Sequence, residues 1–319
     1  MTLGLVALII TFILGFLIYP RFITYLKNST IEQKVSEYAL DEFKEKESTP
    51  TFGGAIFVVV PIMITFILSI GSLDLKLFLI MFGYLAYGIL GFVDDYRIVK
   101  EGKNDGLSAK TKLVVQFLIA AVFYFFYMQT GGNQSINIPI INYKINLGWF
   151  YFPFIVFMFA AYSNAVNLTD GMDGLATGTS ILAFIPLVLF AYAKNQSGLF
   201  VFLLSVIGGL LAFLAYNYHP AKIFMGDVGS LALGALFAIA SVYLDMEVLS
   251  IIIGGVFVYE TVTVVIQQIV FRLTRKRVFK YTPIHYSFTL SGWKETSVVH
   301  FFWFLGLVCA VLGYWIGLI

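Results

Sequence analysis

Several polar residues that could do chemistry lie in one short segment between two apolar runs. Residues 163–176 read Ser-Asn-Ala-Val-Asn-Leu-Thr-Asp-Gly-Met-Asp-Gly-Leu-Ala. Asn164, Asn167, Asp170 and Asp173 supply oxygen atoms there, and no lysine or arginine in the segment balances the two carboxylates. Such a cluster suits a cation or a ligand rich in hydrogen-bond donors. If the segment is helical, the two carboxylates share a face; otherwise the first of them caps the next helix.

Two further acidic motifs have residue types suited to metal and phosphate chemistry. Asp94 and Asp95 are adjacent at the end of an apolar run, where a helix dipole disfavours negative charge. We interpret them as functional rather than as a solvated interfacial pair. Asp227 lies in the sequence Met-Gly-Asp-Val-Gly. Because the nearby glycines have no side chains, its carboxylate is open to a hydrated cation and the neighbouring amides to phosphate oxygens.

The ligand types favour magnesium over zinc. Scattered single carboxylates suit Mg²⁺, which keeps water and substrate phosphates in its coordination shell. His219, His285 and His300 are far apart along the chain, so they lack a zinc-ligand spacing. We therefore predict Mg²⁺ as the cofactor.

Several basic and aromatic residues have two interpretations each. Lys110 and Lys112, near a predicted helix start, either reach towards anionic lipid headgroups or bind a phosphate as point charges. Phe224 either packs in the core or stacks on a nucleobase. The turn at Pro50 and the following Gly53 and Gly54 either start a helix or let the backbone approach a neighbouring segment or a phosphate closely.

The composition identifies an integral membrane protein. Apolar residues make up 60% of the chain, charged residues only 12%, and the mean hydropathy is +0.89, which lies outside the range of soluble domains. The single cysteine, Cys309, excludes an intramolecular disulfide, so helix packing must hold the fold together.

The apolar runs predict an all-α fold of about ten transmembrane helices in one domain, residues 1–319. A helix needs about 20 residues to cross a hydrocarbon core of ~30 Å. The runs lie near residues 3–20, 52–70, 77–93, 113–130, 149–163, 177–193, 199–216, 230–244, 248–271 and 297–318.

Lysine and arginine are distributed unevenly between alternate connections. The connections rich in both are residues 21–51, 95–112 and 272–296. The opposite connections contain only Lys76, Lys144 and Lys194. Because positive residues stay in cytoplasmic loops, we expect both termini to be extracytoplasmic. The polar motifs then fall at the cytoplasmic face, where we expect an active-site cleft.

Four motifs together resemble those of the polyprenyl-phosphate N-acetylhexosamine-1-phosphate transferases, over essentially the whole chain. They are Thr49-Pro-Thr-Phe-Gly-Gly54, Gly91-Phe-Val-Asp-Asp-Tyr96, the segment 164–175 and Phe224-Met-Gly-Asp-Val-Gly-Ser230. Lys280-Tyr-Thr-Pro-Ile-His285, followed by Phe288, Leu290, Gly292 and Trp293, resembles the last cytoplasmic loop of the branch that uses a muramoyl-pentapeptide donor.

The resemblance implies a reaction and its partners. It implies ten helices, a homodimer in a bacterial cell membrane, and Mg²⁺-dependent transfer of phospho-MurNAc-pentapeptide from UDP-MurNAc-pentapeptide to undecaprenyl phosphate. The products are UMP and lipid I, and the reaction belongs to peptidoglycan synthesis. The expected partners are the two substrates and membrane lipid, with no nucleic acid.

The resemblance also assigns the catalytic candidates by motif position. Asp227 resembles the Mg²⁺ ligand, and Asp94 resembles a carboxylate that deprotonates the lipid phosphate, with Asp95 beside it. His285 matches the first histidine of the last-loop motif.

The substrate-binding candidates follow from the same resemblance. Asp170 and Asp173 belong to the nucleotide-side cluster, and Phe224 resembles the aromatic residue that stacks on uracil. The remaining candidates are the polar residues Lys46, Thr51, Lys110, Asn164, Asn167 and Asn217.

The chain departs from the family pattern in its last loop, where Tyr286 and Ser287 stand in place of the second and third of three usual histidines. A sister transferase that uses UDP-GlcNAc for teichoic acid or surface polysaccharide is therefore an alternative. A secondary transporter is an alternative of another class, for which Glu260 in a predicted span is the best candidate.

Overall fold

The chain folds into a helical bundle with one small hairpin. The structure is a computed structural model that describes residues 1–29, 49–101, 106–141 and 143–319, apart from the side chain of Ile140. Its helices are α1 Thr2–Asn28, α2 Gly54–Leu68, α3 Leu75–Glu101, α4 Ala109–Gln129, α5 Tyr151–Thr169, α6 Leu175–Ala193, α7 Ser197–Asn217, α8 Gly226–Tyr243, α9 Leu249–Ile253, α10 Gly255–Thr274, α11 His285–Thr289 and α12 Glu295–Gly317. Strands β1 Ser135–Ile138 and β2 Tyr143–Asn146, and the short 3-10 helices Pro139–Ile141 and Gly148–Phe150, lie between α4 and α5.

Nine helices within the described ranges are long and apolar enough to cross a membrane. They are α1, α3 to α8, α10 and α12, and they confirm the multi-pass membrane class. The predicted run 52–70 corresponds to α2, whose 15 residues span about 22 Å at the helical rise, less than a ~30 Å hydrocarbon core. The ten predicted spans therefore appear as nine full-length helices and one shorter apolar helix.

The predicted span 248–271 is divided into two helices. Gly254 ends α9 and precedes α10, in keeping with the low helix propensity of glycine. A Cβ atom on Gly255 would lie 2.7 Å from the Sγ atom of Cys309, so the missing side chain lets α12 pack closely. Cys309 is a free thiol at a helix contact.

Helix α8 is the most buried of these spans, and it positions the polar motifs. Every residue from Val228 to Tyr243 is buried, and the helix packs against α3 and α5. A Cβ atom on Gly91 of α3 would overlap the carbonyl group of Asp227. The glycine therefore permits a backbone approach that brings the acidic motifs of two helices together.

The hairpin marks the end of the bundle opposite to these motifs. Strands β1 and β2 are antiparallel, with Ile136 opposite Ile145. At the same end, the Tyr151 hydroxyl donates a 2.5 Å hydrogen bond to Glu247 Oε1. Glu247 is only 2% exposed, and burial raises its carboxyl pKa to about 7.

Candidate active site

Helices α3 and α8 bring three predicted catalytic carboxylates to one place. Carboxylate oxygens of Asp94, Asp95 and Asp227 lie within 4.8 Å of one another. The first two side chains are 3% and 6% exposed. Both residues lie about two turns before the end of α3, which extends to Glu101. Adjacent helical residues point about 100° apart, yet oxygens of both lie within 4.8 Å of an Asp227 oxygen on α8.

Lys112, which the sequence offers as a lipid-facing or phosphate-binding lysine and the resemblance does not assign, lies between two of these carboxylates. Its Nζ atom is 2.9 Å from Asp94 Oδ2 and 2.6 Å from Asp227 Oδ2. The Asp94 Oδ1 atom accepts the backbone N–H of Leu107 at 2.7 Å. An ammonium held by two carboxylates shows that this cluster attracts and places a cation.

The other oxygen of Asp227 is held by α5. The Asn167 amide donates to Asp227 Oδ1 at 2.5 Å and to the Ser230 hydroxyl at 2.9 Å. The predicted residues Asn167 and Asp227, 60 positions apart in the chain, are thus brought into direct contact. Helix α5 therefore contributes to the same cluster as α3 and α8.

A backbone turn before α8 brings Thr51 to the cluster. Gly226 has a φ of +72°, a conformation that favours glycine. A Cβ atom there would overlap Asp95 Oδ2 and lie 2.8 Å from the Thr51 hydroxyl oxygen. The Val228 N–H donates to Asp95 Oδ2 at 3.2 Å, so the turn also orients that carboxylate.

Phe224 lies where two loop segments pair. Its N–H donates to Pro50 O, and its carbonyl accepts the N–H of Gly53, both at 2.8 Å. Gly54 begins α2, which confirms the interpretation of the Gly53–Gly54 turn as a helix start. The same turn approaches the Phe224 backbone closely, and an approach to phosphate stays a prediction. The Phe224 side chain is half-buried, and its role as a platform for uracil stays a prediction.

A second polar cluster surrounds Asp173. Asp173 Oδ2 is 3.0 Å from His219 Nδ1 and accepts the Ala221 N–H at 3.0 Å. The backbone N–H of Asp173 donates to Glu295 Oε1 at 2.9 Å. His219 and Glu295 were not predicted as site residues, because only the tertiary fold brings α12 and the end of α7 to this segment.

Asn217 holds this segment to the Phe224 loop. Its Oδ1 atom accepts from the Gly174 N–H at 3.1 Å and from the Thr177 hydroxyl at 2.8 Å. Its Nδ2 atom donates to the carbonyl of Ile223 at 3.0 Å. The predicted substrate-binding role stays a prediction, and the geometry gives this side chain a positioning role.

Asp170 lies at the end of α5, between the two clusters. Its carboxyl pKa is raised to about 8, first by burial and then by the charges of Asp227 and Asp173. Because negative charges lie on both sides of this carboxyl, a cationic or donor-rich group bound next to it would be stabilised.

His285 is fully buried beneath the same segment. Its Nδ1 atom is 3.1 Å from Glu260 Oε1, and a Cβ atom on Gly171 would overlap its Nε2 atom. The Tyr286 hydroxyl donates to the carbonyl of Gly171 at 3.0 Å. The residue that replaces the second usual histidine thus contacts the 170–174 loop.

The remaining predicted residues are less closely connected to the carboxylates. Lys110 is exposed on the first turn of α4, and no ion pair of the described residues involves it. Asn164 donates to Gln116 Oε1 at 2.9 Å and to the carbonyl of Ala160 at 2.8 Å. Lys46 lies outside the described residues.

Two signals in the sequence pointed towards the missed residues. Lys112 stood beside Lys110, but the choice between them depends on the rotation of α4, which is set by packing. Glu260 is a carboxylate within a predicted span, but its partner His285 is 25 residues further along the chain.

Comparison with known proteins gives consistent results. A sequence model of glycosyl transferase family 4 matches residues 77–245. The chain is 42% identical to a phospho-N-acetylmuramoyl-pentapeptide-transferase of Geobacillus sp. (strain WCH70), over 97% of this chain and 96% of the relative. It is 44% identical to the protein of the same name from Staphylococcus saprophyticus, over 99% and 98% of the two chains. The Oceanobacillus iheyensis protein of that name is 43% identical, over 98% and 97%.

Proposed function

This chain belongs to glycosyl transferase family 4 and, within it, to the phospho-N-acetylmuramoyl-pentapeptide transferases, and on this basis we propose that it synthesises lipid I. The proposed reaction transfers phospho-MurNAc-pentapeptide from UDP-MurNAc-pentapeptide to undecaprenyl phosphate and releases UMP. It is a membrane step of peptidoglycan synthesis. One substrate is a lipid and the other is water-soluble, which suits a site at the ends of membrane helices.

The observation that carries this proposal is the placement of Lys112 among three carboxylates. Asp94, Asp95 and Asp227 have oxygens within 4.8 Å of one another, and Lys112 contacts two of them. When all these groups are ionised, one ammonium leaves two negative charges uncompensated. Hard oxygen ligands with this charge fit Mg²⁺, with Asp227 as the proposed principal ligand and the other two carboxylates beside it.

Bound Mg²⁺ would neutralise phosphate charge during the transfer. The reaction brings an anionic phosphate towards an anionic pyrophosphate, so positioning and charge neutralisation are the main tasks of the protein. A lipid-phosphate oxygen attacks the phosphorus that bears the sugar. The bond from this phosphorus to the bridging oxygen breaks, and UMP leaves with the electron pair.

Lys112 and Asp94 have linked roles in this scheme. Both oxygens of Asp94 are occupied, one by the Leu107 N–H and the other by Lys112. When substrate phosphates enter, the ammonium turns towards them as a point charge. The Oδ2 atom of Asp94 is then free to accept a proton from the lipid phosphate, as the resemblance implies.

The nucleotide is proposed to bind along the second cluster. Asp170, Asp173 and the half-buried ring of Phe224 border the space next to the carboxylates, and Asn217 ties their segments together. His285 lies beneath Gly171 at the same place. Thr51 and Asn167 contact the carboxylate side of the cleft, and Lys46, Lys110 and Asn164 complete the proposed substrate-binding set.

We further propose that the cleft faces the cytoplasm and that both termini are extracytoplasmic. The site residues lie at the C-terminal ends of α3 and α5 and at the N-terminal ends of α4 and α8. By helix alternation these ends are on the side of the bundle that has the basic connections 21–51, 95–112 and 272–296. The proposed location is the bacterial cell membrane. A homodimer and a single domain over residues 1–319 stay predictions from the sequence.

The two alternative functions, a secondary transporter and a transferase that uses UDP-GlcNAc, receive less support. Glu260 would serve a transporter as an ion-binding carboxylate, but both of its oxygens accept hydrogen bonds from the last loop. The relatives cited above all carry the name of the muramoyl-pentapeptide enzyme, which favours that donor over UDP-GlcNAc.

The test is Mg²⁺-dependent UMP release by the detergent-purified protein with undecaprenyl phosphate, comparing UDP-MurNAc-pentapeptide with UDP-GlcNAc. We expect turnover with the first donor and its loss in Asp227→Asn. Preference for UDP-GlcNAc would contradict the proposed donor. Normal Mg²⁺-dependent rates in Asp227→Asn would contradict the ligand assignment. A sugar-phosphate adduct on Asp94 or Asp227, detected by intact mass without lipid substrate, would contradict direct attack.

A further inference from the structure

Glu260 is a fully buried carboxylate that the proposed reaction leaves without a task. Its Oε1 atom is 3.1 Å from His285 Nδ1, and its Oε2 atom accepts the backbone N–H of Ile284 at 2.9 Å. Both partners belong to the last loop and follow Glu260 in the chain by 24 and 25 residues. Because a buried carboxylate is costly unless it is hydrogen-bonded, these contacts fix the loop against α10.

The contact with Glu260 also determines where His285 carries its proton. A carboxylate oxygen only accepts, so His285 Nδ1 must be the donor. The other ring nitrogen, Nε2, is buried and has no hydrogen-bond partner among the described residues. It faces Gly171, where a Cβ atom would overlap it.

The free nitrogen of His285 therefore points at the segment that carries Asp170 and Asp173. The Tyr286 ring lies 4.2 Å from the His285 ring, centroid to centroid, and its hydroxyl is bonded to Gly171. An unpartnered polar atom at full burial costs free energy, so its retention indicates a partner that arrives from outside the chain.

We propose that Glu260 is a positioning residue of the transfer reaction. It keeps the proton of His285 on Nδ1, so that Nε2 is the nitrogen offered to the nucleotide donor when that donor displaces Gly171. Glu260 acts through His285 and touches no substrate. The part of this proposal that concerns the nucleotide donor rests on the proposed function, whereas the hydrogen bond by which Glu260 sets the His285 tautomer does not.

The substitution Glu260→Gln separates these roles because an amide has one acceptor and one donor. If its oxygen keeps the Ile284 N–H, its NH₂ group faces His285 Nδ1. That nitrogen must then be unprotonated, and the proton of the neutral ring moves to Nε2. The variant preserves shape and packing while it reverses the tautomer.

The experiment is nitrogen NMR of ¹⁵N-histidine-labelled full-length protein in nanodiscs. The chain has only three histidines, and the variants His219→Gln and His300→Gln assign the signals. In the unmodified protein we expect the neutral His285 ring to carry its proton on Nδ1, with Nε2 unprotonated. The ionisable groups whose charges act on the neighbouring Tyr286 are Tyr281, Asp170, Glu295 and Glu260. In Glu260→Gln we expect the neutral ring to carry its proton on Nε2.

Kinetics test the link to substrate. We expect Glu260→Gln to raise the KM for the nucleotide donor about tenfold, with the KM for undecaprenyl phosphate unchanged. Glu247→Gln is the matched control, since it makes the same change in a buried carboxylate at the opposite end of the bundle. It is expected to alter neither the His285 tautomer nor the donor KM.

Four results are decisive. A proton on Nε2 of neutral His285 in the unmodified protein, or an unchanged tautomer in Glu260→Gln, overturns the proposal. A parallel rise in both KM values together with lost thermal stability also overturns it, because a merely structural role would produce that pattern. If the tautomer reverses but the unmodified protein releases no UMP from either donor, the proposed function fails while the hold of Glu260 on His285 is supported.

Discussion

Replacement of Lys112 by methionine removes the cation built into the carboxylate cluster while it keeps the length of the side chain. In the structure the Nζ atom is 2.6 Å from Asp227 and 2.9 Å from Asp94. The lysine side chain is 20% exposed, and the Asp94 and Asp227 side chains are 4% and 19% exposed, so water screens these pairs only in part. Loss of one partner of such a buried pair costs about 3–5 kcal/mol.

The expected effects on metal binding and on turnover have opposite signs. Without Mg²⁺, Lys112→Met leaves three close carboxylates without a counter-charge, so the apo protein is less stable. With one more uncompensated negative charge, the cluster is expected to bind Mg²⁺ at least about tenfold more tightly. A tenfold change in affinity corresponds to ~1.4 kcal/mol, which is a small part of the interaction between unit charges at this distance. We expect turnover to fall roughly 10²–10³-fold, which is the usual effect of removing one preorganised hydrogen-bond donor that stabilises charge in the transition state.

The assay is thermal unfolding of detergent-purified protein titrated with MgCl₂ in the absence of nucleotide, followed by UMP release at saturating Mg²⁺. Lys112→Arg is the control that keeps the charge, and Lys110→Met is the control that removes an exposed lysine two positions away. We expect stabilisation by Mg²⁺ to be larger and to occur at lower concentration in Lys112→Met alone. Weaker Mg²⁺ stabilisation in Lys112→Met than in the unmodified protein would refute the assignment of this cluster as the metal site.

Three other predictions follow from single contacts. Gly91→Ala places a Cβ atom against the carbonyl of Asp227. We expect it to lower the free energy of unfolding by about 1–3 kcal/mol, measured by thermal unfolding, and to remove most UMP release. Gly71→Ala, which places a Cβ atom in open space, is the control. Tyr286→Phe removes the bond to Gly171, and we expect the donor KM to rise about fivefold; an unchanged KM would show that this contact does not position the loop. The carboxyl pKa of Glu247 is raised from 4.5 to about 7, so its contribution to stability is complete below about pH 4.5 and is lost as the pH rises through about 7, by at most roughly 3 kcal/mol. Glu247→Gln is expected to abolish that part of the pH dependence in thermal unfolding, and equal pH profiles of the two proteins would contradict it.

The membrane class and the residues of the polar motifs were available from the sequence alone. Hydrophobic runs of about 20 residues have few alternatives to a membrane helix, because only a helix satisfies its backbone hydrogen bonds within the segment. Asp94, Asp95 and Asp227 were identified from two short motifs, each only a few residues long, within which local spacing is informative. Their metal ligation and catalytic roles stay proposals.

Helix rotation and long-range contacts were decided only by the tertiary structure. Lys112, rather than Lys110, contacts the carboxylates because packing turns one face of α4 inwards, and consecutive helical positions differ by about 100°. The Lys112–Asp227 contact joins residues 115 positions apart, and no local pattern encodes such a pairing. The same holds for Glu260 with His285 and for Asp173 with Glu295: each sequence neighbourhood supplies a polar group, but only the packed bundle determines its partner.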